Sequence, residues 1–192
     1  MTPIFIAIGL STLVLFRRDL FTICQFIGLL INELTNIVLK RFLKHPRPTQ
    51  LSAQTRSYGM PSDHSQFMGF FCACFICFLF IRLDKKSFSH GFRYILCGGC
   101  ILSTLLTCYS RIYLFYHTVQ QVFVGLALGI IFGLAWFLIV QVFLTPMFPQ
   151  MCNSFIGRIL MLQDFTLIPN VLVFEYNNSR NWPRHGTHCN SH

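Results

Sequence analysis

YGMPSDHSQF, residues 58–67, is where the chain passes from a polar loop into a strongly apolar run, with His64 at the mouth of that run. Its reading decides the fold, because a bilayer core of about 30 Å takes about 20 apolar residues as an α-helix. The run that begins here, residues 67–83, nearly meets that length, and so do residues 20–39, 92–109 and 119–144. The run at 20–39 also carries Asn32, Glu33 and Asn36. A shorter run, residues 3–16, starts almost at Met1 and has neither the basic region nor the cleavage site of a signal peptide. It reads as a tilted or partial span, or as a span whose beginning lies outside this chain.

Composition supports the same reading. The chain has 192 residues, the size of one domain, with 54% hydrophobic residues and 11% charged ones. A soluble domain of this length carries more charge. Most of this chain must therefore face membrane lipids or pack inside a bundle, so the expected fold is all-α and polytopic, with four to five spans. The net charge of +9 calls for an anionic partner such as a phosphate or a lipid headgroup. Nucleic acid is set aside, since the basic residues are scattered among apolar spans and no nucleic-acid motif is present. The cysteines do not form a disulfide framework: Cys72, Cys74, Cys77, Cys97, Cys100 and Cys108 fall inside apolar runs. Cys97-x-x-Cys100 has the spacing of a metal or redox pair, but its flanks are those of a membrane helix, where small cysteines pack well.

The connectors order the spans. Arg17 and Arg18 separate the first two runs, and Arg82, Lys85, Lys86 and Arg93 flank the connector that contains DKKSFSHG. If every run spans, these connectors share one side, which the positive-inside rule makes cytosolic. Residues 40–65 and 109–118 then lie on the other side. They carry Lys40, Arg41, Lys44, Arg47, Arg56 and Arg111 against that rule. A bound anion would account for them. Three parts are expected: a transmembrane unit at 1–145, an amphipathic segment at 146–176 lying at the cytosolic interface, and a polar, disordered tail at 177–192. The sequon Asn177-Asn178-Ser179 would face the cytosol and stay bare. His185, His188, Cys189 and His192 offer metal-binding side chains, but a loose His-rich terminus more often binds nothing.

Three segments then meet on one face: Lys40-x6-Arg47-Pro48, Pro61-Ser62-x-His64 and Ser110-Arg111-x5-His117. Pro46 and Pro48 end the helix that carries Lys40, so Arg47 sits in a turn beyond it. Arg111 and His117 point to different faces of any single helix, so the chain must bend between them to serve one ligand. Ser62 or Asp63 can cap the helix that begins near His64, and His117 opens the next helix. A helix N-terminus presents free N–H groups and partial positive charge. Two such ends with Lys40, Arg47 and Arg111 make a phosphate cradle, and the two histidines offer a nucleophile and a general acid. No carboxylate cluster of metal-ligand type accompanies them, so neither metal nor cofactor is expected. Taken singly, each element has a plainer reading: basic residues snorkel at helix ends, an interfacial histidine is solvated, and PSDH is a common cap.

Together, these motifs resemble the three-part signature of the type 2 phosphatidic acid phosphatase superfamily. The stretches INELTNIVLKRFLKHPRP, YGMPSDHSQFM, YSRIYLFYHTVQQV and LTPMFP…LIPNVLVFEY are similar to the members that act on polyisoprenoid diphosphates. The likeness reaches from about the start of the chain to Tyr176. It implies a haloperoxidase-like bundle in the endoplasmic reticulum membrane with a luminal site. The implied reaction converts dolichyl diphosphate to dolichyl phosphate and phosphate, recycling the lipid carrier of protein N-glycosylation. By the resemblance His117 is the nucleophile, His64 the general acid and base, and Lys40, Arg47, Ser62 and Arg111 hold the phosphate.

The sequence also departs from the superfamily pattern. Gln121 stands where many members have an aspartate, so it can orient His117 but brings no charge. Asp63 stands where a small neutral residue is usual, and a carboxylate beside bound phosphate weakens binding unless it points away. Two spans precede Lys40 where three are usual, so an N-terminal segment absent from this chain would leave it unstable or inactive. Glu33 shares a helix face with Asn36 and Lys40; it either orients Lys40 or only bonds to another helix. Two rival readings remain. One is a phosphatase for another lipid phosphate, phosphatidate or a sphingoid phosphate. The other is a non-catalytic membrane protein that kept the site, which Asp63, Gln121 and the short beginning favour.

Overall fold

A computed structural model describes residues 2–48, 58–83, 90–166, 168 and 171–185. Among these residues the regular structure is helical, apart from an isolated bridge that pairs Asp19 with Gln163. Helix α1 covers Thr2–Arg17, α2 Leu20–Leu43, α3 Asp63–Cys77, α4 His90–Tyr113 and α5 Val119–Ile139. Both α3 and α5 continue into a π-helical turn, Phe78–Arg82 and Val140–Leu144. Short helices α6, Phe148–Asn153, and α7, Phe155–Ile159, lead towards α8, Val171–His185. Four helices are long and apolar enough to cross a membrane: Leu20–Leu43, Asp63–Arg82, His90–Tyr113 and Val119–Asn153; Thr2–Arg17 is shorter. The chain is thus an all-α, multi-span membrane protein.

The helices run further than the apolar runs that announce them. Helical hydrogen bonds do not depend on apolar side chains, so polar residues at each end join the helix. Lys40 lies in the last turn of α2 and Arg111 in the last turn of α4, while His64 lies in the first turn of α3. Asp19 starts α2 by accepting hydrogen bonds from the backbone N–H of Thr22, at 3.0 Å, and from its hydroxyl, at 2.8 Å. At the other end Lys44 turns left-handed, with φ 45°, and its N–H closes onto the Lys40 carbonyl at 3.1 Å. Pro46 and Pro48 follow and stop the helix.

The centre of the bundle is the parallel pair α3 and α5. Along α5, Gly125, Gly129 and Gly133 recur every fourth residue, and they meet the carbonyls of Ser62, Gln66 and Phe70, which also recur every fourth residue on α3. A Cβ on Gly125 would come within 2.6 Å of the Ser62 oxygen, and one on Gly133 within 2.8 Å of the Phe70 oxygen. In lipid, where no hydrophobic force draws helices together, such close backbone approach supplies the packing. Because both helices start at the same membrane face, their N-termini lie side by side. Trp136 of α5 ties in α2, its indole N–H donating to the Cys24 carbonyl at 3.1 Å. Leu20, Phe21, Leu29, Phe67, Met68, Phe70, Phe137 and Phe148 form the buried core. Ile95, Leu102, Leu105 and Leu106 of α4 face outward, as lipid contact requires.

The face opposite those N-termini is closed by the segment after α5. Leu20 N–H donates to the Gln163 carbonyl and Gln163 N–H to the Arg18 carbonyl, each at 3.0 Å. Phe148 is fully buried. Residues 177–185, expected as part of a disordered tail, continue helix α8. Its polar end is carried by a helix that starts in the more apolar 171–176. His188, Cys189 and His192, the side chain of His185, and Arg56, Lys85 and Lys86 lie outside the described residues.

Candidate active site

Helix ends from α2, α3, α4 and α5 meet at one face. Phe115, with φ 56°, makes the bend between Arg111 and His117, and the N–H groups of Tyr116 and His117 both donate to the Arg111 carbonyl, at 3.1 and 3.3 Å. The chain then enters α5 through Thr118. Its hydroxyl accepts from the Gln121 N–H at 3.3 Å, while Gln121 Oε1 accepts from the Thr118 N–H at 3.2 Å. This is a complete capping box. Backbone bonding also joins the two N-termini: Ser62 N–H donates to the Gln121 carbonyl at 3.1 Å.

His117 is 4% exposed, and its ring is fixed from behind. Nδ1 lies 2.9 Å from the Gly59 carbonyl, which can only accept, so Nδ1 carries the hydrogen. Nε2 is left to face Asp63, whose Oδ1 lies 3.7 Å away. Gly59 is held in turn, its N–H donating to the His45 carbonyl at 2.8 Å. Gln121 Oε1 is a more distant partner of Nδ1, at 3.3 Å. Its amide nitrogen donates to the Pro46 carbonyl at 2.9 Å and lies 3.0 Å from His45 Nδ1. The glutamine thus uses donors that an aspartate lacks, and it holds the 45–46 turn against α5.

Asp63 does not point away from the site. A carboxylate at this position was expected to weaken phosphate binding unless it pointed away, and it points inward. Its Oδ1 lies 3.4 Å from His64 Nδ1 and 3.7 Å from His117 Nε2, and its Oδ2 lies 3.7 Å from Lys40 Nζ. The physical reason is local. Asp63 is the first residue of α3, where the helix dipole favours a negative charge, and the groups that face it are cationic or can become so.

The other expected site residues are placed as follows. Arg47 lies against Gly59: a Cβ there would come within 3.0 Å of its Cγ. Arg111 sits with its guanidinium carbon 5.4 Å from the Tyr116 ring centroid. The Nε atoms of both arginines are buried without a hydrogen-bond partner among the described residues. Ser62 is not on the open side. It is fully buried, holds the N-cap position of α3 without a side-chain cap bond, and its hydroxyl accepts from Ser65 Oγ at 3.2 Å. Glu33 Oε1 is buried without a hydrogen-bond partner among the described residues, and the ion pair of Lys40 goes to Asp63.

Beneath the site lies a polar group that sequence reasoning missed. Gln66 accepts from Asn36 Nδ2 at 2.7 Å and donates to Asn32 Oδ1 at 3.0 Å, and all three residues are buried. In an apolar membrane interior such a network locks α2 to α3 in one register. The Gly59 carbonyl was also missed, since a backbone partner has no side-chain signature. Asn32 and Asn36, polar residues inside the apolar run at 20–39, were the readable signal for the network. Among the described residues no group of three or more His, Cys, Asp or Glu side chains is placed so as to hold a metal ion.

Helix ends of a multi-span bundle thus bring two imidazoles and a lysine to one carboxylate at a single face. The chain belongs to the PAP2 superfamily, whose sequence profile matches residues 21–144. It is 40% identical over 186 residues to dolichyldiphosphatase 1 of Mus musculus, covering 94% of this chain and 78% of that one. It is 43% identical over 187 residues to dolichyldiphosphatase 1 of Dictyostelium discoideum, covering 93% and 79%. It is also 42% identical over 190 residues to lipid phosphate phosphatase gamma of Arabidopsis thaliana, covering 94% and 80%. No solved structure matches the chain.

Proposed function

We propose that this protein hydrolyses dolichyl diphosphate to dolichyl phosphate and inorganic phosphate. It does so in the endoplasmic reticulum membrane, with the site on the luminal side. The observation that carries the reading is the His117 ring, held at Nδ1 by the Gly59 carbonyl so that Nε2 is turned to Asp63, the carboxylate that His64 and Lys40 also face. Relatives named dolichyldiphosphatase support the substrate. The resemblance of the three motifs to the superfamily signature supports the luminal face.

The terminal phosphoryl group enters between the two imidazoles. Nε2 of His117 attacks phosphorus; a P–N bond forms as the anhydride P–O bond breaks, and His64 gives a proton to the departing dolichyl phosphate oxygen. Water then attacks the phosphohistidine, His64 takes its proton, and the P–N bond breaks to release phosphate. Lys40, Arg47 and Arg111 balance the charge on the phosphoryl oxygens, and the N-termini of α3 and α5 add their dipoles. Ser62 supports the wall from its buried N-cap position.

Trapping labelled phosphate on the protein tests this directly. The label should appear on His117 after brief exposure to dolichyl diphosphate. His117→Ala should lose both the label and at least about 10⁴-fold in phosphate release. A His117→Ala chain that still turns over ends the assignment, and absence of label and turnover in the wild type would favour a non-catalytic protein. The similarity to a lipid phosphate phosphatase keeps a second substrate class in play. Competition between dolichyl diphosphate and phosphatidate in detergent separates the two.

A further inference from the structure

We propose that Asp63 is an internal anion that occupies the phosphoryl position of the empty site, and that substrate displaces it and product does so less readily. This rests on the phosphatase reading above. The carboxylate presents one oxygen to both imidazoles and the other to Lys40, at 3.4 to 3.7 Å. A phosphoryl group bound for attack by His117 needs that same space and those same partners. Two anions cannot share them without repulsion. The contacts are long for hydrogen bonds, so Asp63 leans on the cations without being locked to them, and its side chain is 37% exposed on the open side.

The consequence is selective. A diphosphate ester brings more negative charge than either dolichyl phosphate or inorganic phosphate. It therefore recruits Lys40, Arg47 and Arg111 more strongly and displaces the carboxylate more completely. After hydrolysis the weaker anion remains, and Asp63 returns to Lys40 and the two imidazoles and competes it out. The residue thus sets discrimination between substrate and product. No covalent step is added to the reaction.

The test uses the full chain purified in detergent, with inorganic phosphate as the probe. Thermal stabilisation by phosphate reports binding without any lipid substrate. Asp63→Asn and Asp63→Ser should each need at least about tenfold less phosphate than the wild type for the same stabilisation. In turnover, inhibition by phosphate and by dolichyl phosphate should strengthen by a similar factor, and KM for dolichyl diphosphate should fall by less. If phosphate stabilises both variants no better than the wild type, the proposal is overturned. A hundredfold loss of turnover with no gain in phosphate affinity also overturns it, because Asp63 would then serve His117 directly. Should neither variant fold, a phosphate-bound structure of the wild type decides: Asp63 still paired with Lys40 beside bound phosphate overturns the proposal, and Asp63 swung out supports it. A wild type inert towards dolichyl diphosphate whose variants still gain phosphate affinity removes the substrate reading and leaves this assignment standing.

Discussion

Arg82 and Arg111 each end a membrane-spanning helix, on opposite faces of the bundle, and they meet very different surroundings. Arg82 Nη1 donates to Gln141 Oε1 at 3.3 Å and Thr145 Oγ1 at 3.2 Å, and its guanidinium carbon lies 4.0 Å from the Phe21 ring centroid. Its Nη2 donates to Thr166 at 2.5 Å. On the same face Arg17 pairs with Glu175, and Arg18 Nη1 donates to the Leu160 carbonyl at 3.3 Å. Arg111 has one aromatic neighbour, and its Nε, like that of Arg47, is buried without a partner among the described residues. A buried donor left unpaired costs about 1–3 kcal/mol, more if charged. One face therefore spends its arginines on holding the helices together. In the proposed reading the other face holds Arg47 and Arg111 for an anion.

Substitution can break this contrast. Arg111→Ala should lower phosphate release by about 10²–10³-fold, the usual effect of removing one group that stabilises transition-state charge. It should leave thermal unfolding close to that of the wild type. A variant that unfolds early but retains its rate per folded molecule would make Arg111 a structural residue like Arg82. The reverse is expected across the bundle. Arg82→Ala removes charge-assisted hydrogen bonds to Gln141, Thr145 and Thr166 and a cation–π contact. It should cost about 3 kcal/mol of stability, measured by denaturant or thermal unfolding in detergent. The rate per folded molecule and KM should hold.

The sequence and the structure agree where the information is local. Apolar runs mark the spans, and Pro46 and Pro48 mark the end of α2. The separation of Arg111 from His117 demands a bend, which the left-handed Phe115 supplies. What was not legible is set by tertiary contact. The Asn32–Gln66–Asn36 network needs α2 and α3 side by side before its partners exist. The Gly59 carbonyl that orients His117 carries no side chain to announce it. Ser62 has the sequence position of a phosphate ligand, yet close approach of α5 at Gly125 leaves its hydroxyl buried against Ser65. The direction of Asp63 depends on three groups from α2, α3 and the turn before α5 converging on one point. Residues 177–185 read as too polar to order, and their helix continues one begun in 171–176.

The smallest effect sharpens the contrast most, because it separates a contact that is merely present from one that matters. Arg17 and Glu175 approach to 2.5 Å, but their side chains are 39% and 47% exposed. Water and salt screen a pair so placed, and ordering two long side chains offsets much of the attraction. The Phe165 ring lies 5.4 Å from the Arg17 guanidinium carbon and adds a little. Arg17→Ala should therefore cost less than about 1 kcal/mol, and that cost should shrink further in high salt. Phosphate release should not change, since Arg17 lies on the face away from His117. If Arg17→Ala instead destabilises as much as Arg82→Ala, then α8 docking on α1 is part of the fold's main closure. The far face would then be held as much by its terminal helix as by the partners of Arg82 on α5.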